Sequence, residues 1–160
     1  MDYSEAAASL APSLEQFFPA YTVDNLGTFL PQFIGDIIGG AYTFVNREGF
    51  YTRIGNVVTF AAYINISAIV VAPTGSLFVT MPLVAGTTEV VQGALSLSFY
   101  GGITLTAGYT QLGVYASPGS NRAPLLQSGS GVAAANIAAS ALALIGGVAN
   151  IGYGGSYRVN

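Results

Sequence analysis

Lysine, histidine, cysteine and tryptophan are all missing from this 160-residue chain, whose formal charges are four Arg and seven acids. Without His there is no imidazole to serve as a base near neutral pH. Without Cys or Lys there is neither thiolate nor amine nucleophile, and Ser-based mechanisms lose their proton acceptor. Lack of Cys also excludes a disulfide framework. Metal binding is not expected: His and Cys are absent, and no carboxylate-dense loop suggests a Ca²⁺ site. A glycosidase needs two facing carboxylates, and beyond residue 40 only Glu48 and Glu89 are available, with nothing to bring them together. Gly146-Gly147 and Gly152-Tyr-Gly-Gly155 lack the Lys-Ser/Thr of a phosphate loop and read as bends between strands. The expectation is a non-enzyme with no cofactor.

Charge is scarce as well as incomplete. Only 7% of residues are charged, where a soluble domain carries about a quarter. From Ile54 to Tyr157 the formal charges are Glu89 and Arg122. A net charge of −3, with Arg47, Arg53, Arg122 and Arg158 scattered, argues against nucleic acid. Something other than charge must manage the surface. Contact with copies of the same chain is the expected solution, since a low-charge face rich in Tyr, Leu and Val suits such burial.

Targeting signals are weak. The acidic start, Met1-Asp2-Tyr3-Ser4-Glu5, lacks the basic region of a signal peptide. Val132 to Ile151 carries no charge, so a membrane span must be weighed. It is rich in Ala, Gly, Ser and Asn, has no close Lys or Arg flank and is broken by Gly146-Gly147, so no membrane insertion is expected.

What is present divides the chain near Gly39-Gly40. Five of the seven acids precede that point. Ser4 to Phe18 has a helical pattern, with Leu10, Leu14 and Phe17 at i, i+4 and i+7. Pro12 weakens it; the alternative is a break there, with Ser13 capping a short turn. The next stretch, from Tyr21 to Ile38, is apolar but interrupted by Gly27, Pro31 and Gly35. It either packs on its own domain or docks onto another subunit or protein; the compositional break favours docking. Candidate docking residues are Leu10, Leu14, Phe17, Phe18, Phe29, Leu30, Phe33 and Ile34.

From Ala41 the pattern is strand after strand. Tyr42–Asn46 reads as a strand, Arg47-Glu48-Gly49 as a turn, and Phe50–Ile54 as a lead-in to a bend at Gly55-Asn56. Val57–Ile66 is a long strand with Val58, Phe60, Ala62, Ile64 and Ile66 on one face. Further strands are expected at 76–81, 89–99, 103–106, 109–116, 123–127, 141–148 and 153–159, with Ser117–Asn121 and 136–140 as loops. Short strands, few helical patterns and no fixed-period repeat predict an all-β fold: an antiparallel jelly-roll-type β-sandwich over 41–160, with a short, partly helical N-terminal docking segment over 1–40.

One local motif is informative. Gly49-Phe50-Tyr51-Thr52-Arg53-Ile54-Gly55-Asn56-Val57-Val58 is a hairpin on physical grounds alone. It also resembles a pattern in the C-terminal domains of bacteriophage tail fibres and tailspikes, loosely G-x-Y-T-(K/R)-I-G-N-x-V. The resemblance continues through Tyr63-Ile64-Asn65-Ile66, Pro73-Thr74-Gly75-Ser76-Leu77 and Met81-Pro82 to the closing Gly154-Gly155-Ser156-Tyr157-Arg158-Val159. It implies a trimeric jelly-roll on a virion surface and no catalytic residues. About forty residues upstream is short for a shaft plus a tail-attachment domain. The leading expectation is therefore a homotrimeric knob decorating and cementing the capsid exterior, partnered by the major capsid protein or another virion protein. The alternatives are a short tail fibre or receptor-binding tip that grips a host cell-surface glycan, and a bacterial sugar-binding domain. For a glycan, Tyr100, Tyr109, Tyr115 and Tyr153 are the candidate contacts, lying near expected strand ends or loops.

Overall fold

The structure, a computed structural model, describes residues 23–87 and 93–160. The hairpin at the motif organises it. Strands β1 (Val23–Phe29) and β2 (Phe33–Gly35) precede β3 (Ala41–Ile54) and β4 (Val57–Val71). Ile54 pairs with Val57 across Gly55-Asn56, and Gly55 has φ of 58° while no non-glycine residue described is positive. Glycine alone in the left-handed region, at the first position of a two-residue loop, is the II′ pattern that matches strand twist. The Arg53 Nε–H donates to the Gly55 carbonyl at 2.7 Å, tying the turn to its strand.

The remaining strands are β5 (Leu77–Thr80), β6 (Gly93–Gly101), β7 (Gln111–Val114), β8 (Arg122–Gly129), β9 (Val132–Asn136) and β10 (Ala149–Arg158). One sheet has the order β1-β3-β4-β10-β6. The other runs β2-β5-β8-β7, with β9 also on β8, and the ladders are antiparallel throughout. The fold is thus the expected antiparallel sandwich of jelly-roll type. Among the described residues no helix is long and apolar enough to cross a membrane. The uncharged run 132–151 forms β9, a 3₁₀ turn at Ala139–Ala141, a loop and the start of β10.

Alternation along β4 builds the core. Val58, Phe60, Ala62, Ile64 and Ile66 are all buried against Phe33, Leu77, Val79 and Leu125 of the second sheet. Phe60 is central: the rings of Phe29, Tyr153 and Tyr157 stand edge-on to it at 6.1, 5.9 and 5.7 Å. Two tyrosines bridge the layers by hydrogen bonds. The Tyr153 hydroxyl donates to the Thr80 carbonyl at 2.6 Å. The Tyr157 hydroxyl donates to the Leu83 carbonyl and accepts from the Leu83 N–H, both at 2.9 Å. Burial pushes the Tyr157 phenol up to about 12, the Leu83 hydrogen bond opposing it. Burial likewise raises Tyr42 to about 12.

Several expectations need correction. Arg47-Glu48-Gly49 is not a turn: β3 passes straight through it, with register shifts confined to residues 41–46. Gly49 serves close approach instead, since the Phe29 ring occupies the space a Cβ would take. Residues 141–148 form no strand; Gly146 and Gly147 both have positive φ and fold Ile145 back onto Val148. Residues 103–106 are likewise a loop, pinned by the Ile103–Leu142 bridge and by the Thr106 N–H donating to Gln127 Oε1 at 2.9 Å. Strand β9, Val-Ala-Ala-Ala-Asn, was expected nowhere because it has no apolar/polar alternation.

The described part of the N-terminal segment belongs to the sandwich. β1 is an edge of the first sheet and β2 an edge of the second, with Pro31 where the chain crosses between them. Asp36–Gly40 is pinned by the Ser76 N–H donating to Asp36 Oδ1 at 2.7 Å and by backbone bonds from Ile37 to Thr74 and from Thr74 to Ile38. The expected helix over 4–18 lies outside the described residues.

Candidate interaction surface

The outward side of the first sheet is a continuous face that this packing leaves uncovered. Directly paired residues in an antiparallel ladder point to the same face, so the register yields the surface row by row. Across one row Leu26, Thr52, Thr59 and Ser156 align, and the Thr59 and Ser156 hydroxyls hydrogen-bond at 2.8 Å. The next row is Thr28, Phe50, Ala61, Gly154 and Ser96. Then come Glu48, Tyr63, Gly152 and Phe99, and beyond them Asn46, Asn65, Asn150 and Gly101. Ile54, Val57 and Arg158 close the hairpin end.

Three properties follow. First, projecting apolar and polar groups mix: Leu26, Phe50 and Phe99 are 73%, 63% and 50% exposed, with Thr28, Asn46, Glu48, Thr59, Ser96 and Ser156 exposed among them. Second, it has relief. Phe99 lies over Gly152, where a Cβ would meet its ring, and packs against Tyr63 at 5.8 Å between centroids. Third, among the residues whose side chains are described it carries one formal charge of each sign, Glu48 and Arg158. The Asn row contains a loose end: Asn65 Oδ1 is buried with no hydrogen-bond partner among the described residues.

At one corner, where β1 leaves the sheet, a cleft of about 280 Å³ is lined by Thr28, Phe29, Leu30, Arg47, Glu48, Gly49 and Phe50. The Arg47 guanidinium sits 4.0 Å above the Phe44 ring, a cation–π contact.

The candidates named from sequence are dispersed. Leu10, Leu14, Phe17 and Phe18 lie outside the described residues. Phe33 is fully buried, so it cannot meet a partner; Phe29 and Ile34 are half-buried, and Phe29 packs on Phe60. Leu30 alone of that group is open, at 65%. Tyr153 is a core residue, 2% exposed, and is withdrawn as a ligand contact. Tyr109 donates its hydroxyl to the Ala133 carbonyl at 3.1 Å. Tyr100 and Tyr115 are exposed, but Tyr100 ends β6 in the first sheet while Tyr109 and Tyr115 flank β7 in the second. Sequence reasoning missed Leu26, Phe50, Tyr63 and Phe99. The available signal was the lack of charge at the outward positions of β4.

No family model matches this chain, and no curated protein matches it. Among solved structures it is similar to the Dettilon tailspike protein (gp208), with a TM-score of 0.65 at 16% identity. The likeness is to part of a tailspike. It covers 85% of this chain and 24% of that one, so this chain spans about a quarter of the tailspike's length. At that identity the similarity establishes a common fold: the sandwich is one that a tailspike uses as a domain.

Proposed function

We propose that this chain is a structural module of a phage particle, a homotrimeric β-knob displayed at the virion surface that works by contact and not by chemistry. The single observation that carries this is the fold shared with a tailspike over most of the chain. The broad, nearly uncharged face of the first sheet supports it, because a lone soluble domain rarely leaves such a surface bare. Of the positions such a knob could take, the tail is favoured by that fold. There it would sit as a short fibre or tip against a host-surface glycan, with Tyr100 and Tyr115 as exposed rings.

Decoration and cementing of the capsid exterior is the second reading, favoured by the scarcity of charge, which suits extended contact with a protein shell. In either reading Leu30, together with the residues preceding β1, is the part offered to the particle. Quantitative gel densitometry of purified virions separates the two. A few dozen copies or fewer place the protein on the tail, and hundreds place it on the shell. Absence from purified particles overturns both.

A further inference from the structure

We infer that the end of the sandwich opposite the Gly55-Asn56 turn is a lipid-contacting tip, whose branched aliphatic side chains, led by Ile37 and Val70, enter the acyl layer of a bilayer. That this end faces away from the particle rests on the reading above, in which the residues preceding β1 meet the virion. The tip dips into one side of a bilayer and spans nothing; among the described residues no helix is long and apolar enough to cross.

The two ends of the sandwich differ in kind. At the turn end β1 starts opposite Ile54, so the chain that precedes it leaves from there. Arg53 and Arg158 stand at the same end, with Asp24 placed nearby in β1. Backbone bonds from Val159 to Asn56, from Gly86 to Arg158 and from Ala85 to Ser120 bring Arg122 there too. The far end is built from segments 36–46, 66–76 and 142–149, which hold one formal charge, Asp36. Its carboxylate accepts the Ser76 N–H at 2.7 Å. Charge is thus gathered at the end where the chain enters and withdrawn from the end that is free.

The three segments adjoin: Ala41 pairs with Val71, Ile38 with Thr74, and Ala149 with Ile66. β4 runs on from Ser67 to Val71 past its last rung with β10, an overhang of about 16 Å. On this projecting end Ile37, Val70 and Ile145 are 78%, 68% and 63% exposed, and Ile38 and Val71 are 47% exposed.

Hydrocarbon is the occupant this chemistry selects. Entry into an acyl layer requires backbone polar groups to be paired internally and charge to be absent. The Ile37 N–H donates to the Thr74 carbonyl at 3.2 Å, the Ile38 N–H to Thr74 Oγ1 at 3.1 Å, and the Ile145 N–H to the Val148 carbonyl at 2.9 Å. Thr74 returns its own N–H to the Ile38 carbonyl at 3.0 Å, so the loops are rigid before they meet anything. A glycan wants flat rings and hydrogen-bonding groups; the ring nearest the tip, Tyr42, is half-buried and donates its hydroxyl to the Gly39 carbonyl at 3.3 Å. A protein partner is met through aromatic and Arg anchors, and the exposed large side chains here are all Ile and Val or the neighbouring Leu144. An uncharged surface matches the uncharged acyl layer and has no call on anionic headgroups.

The test uses the full chain and vesicles of phosphatidylcholine. Wild-type protein is expected to float with the vesicles, equally at low and high salt and with no gain from anionic lipid, because the tip offers no cation. Ile37→Asp and Val70→Asp are each expected to lower the bound-to-free ratio about tenfold or more, with an unchanged far-UV β spectrum. Val84→Asp, at an exposed position near the turn end, should leave it unchanged. Because the chain has no Trp, a single reporter is unambiguous. Ile37→Trp is expected to shift its emission to the blue on binding and to be quenched by brominated acyl chains, and Val84→Trp to do neither. If the Asp variants fail to fold, this reporter decides the matter. Wild type that stays off the vesicles, or Ile37→Trp that binds yet escapes quenching, overturns the tip. So does binding that needs anionic lipid or vanishes in salt. Self-association that is lost in Ile37→Asp, with no vesicle binding, gives the surface to a second copy and likewise overturns it. None of these results moves the virion copy number, which tests the particle reading by itself.

Discussion

The two sides of β4 differ in what they touch and hardly at all in charge. Its inward positions, Val58 through Ile66, are buried; its outward positions, Val57, Thr59, Ala61, Tyr63 and Asn65, are partly or fully open yet carry no charge. In an ordinary one-sided antiparallel sheet, the wet face is polar and charged. Hydrophobic alternation thus reports that one face is covered within the chain. Missing charge on the other points to cover from outside it. The first is an intramolecular fact of the fold, and the second an intermolecular expectation.

The comparison can be broken most forcefully from the inside. Phe60→Ala removes the ring on which Phe29, Tyr153 and Tyr157 converge, and should cost about 3–5 kcal/mol in urea unfolding. A loss below about 1 kcal/mol would mean that the aromatic cluster is not the core's centre. Tyr157→Phe keeps the ring but leaves both Leu83 backbone groups without their partner, an expected loss of about 1–3 kcal/mol by the same assay.

The same tyrosine gives a pH test. Burial raises Tyr42 and Tyr157 to about 12 and raises Tyr153 further still, so folding favours the protonated forms of all three. Their contribution is fully present below the ordinary phenol value near 10 and is lost as pH rises from about 10 through 12. The thermal midpoint should fall across that window, and more gently in Tyr157→Phe. A flat profile from pH 10 to 12 would contradict the burial of all three phenols.

The smallest intramolecular effect belongs to the outer face. Phe50→Ser should change the unfolding free energy of the isolated, dilute chain by no more than about 0.5 kcal/mol, because its ring is mostly open. At concentrations where copies associate, the same substitution should lower the melting temperature in a concentration-dependent way. Equal losses in both regimes would show that Phe50 works within its own chain.

Much of the fold was legible because its signals are local. The β4 face and the Gly55-Asn56 turn follow from alternation and from glycine's freedom at positive φ. Gly49 was misread because a glycine needed for a passing ring looks the same in sequence as one needed for a turn. Strand β9 was invisible because an Ala run has no face. The split at residue 40 followed a shift in composition, yet β1 and β2, both before it, pair with β3 and β5 after it and edge the two sheets, a pairing that composition cannot encode. Tyr153 looked like a surface ring because strand-end position was read without register; its neighbours across the ladder place it inside.

By itself, the sequence determined that this protein would be β-rich, poor in catalytic groups and short of the charge that keeps a sheet face in water, since each is a property of residue types and their period. Only the tertiary structure decided which residues share the bare face. Leu26, Phe50, Tyr63 and Phe99 lie on four different strands or their neighbours in the ladder, far apart along the chain. Register, a product of turns, bulges and core packing over the whole sandwich, is what brings them together.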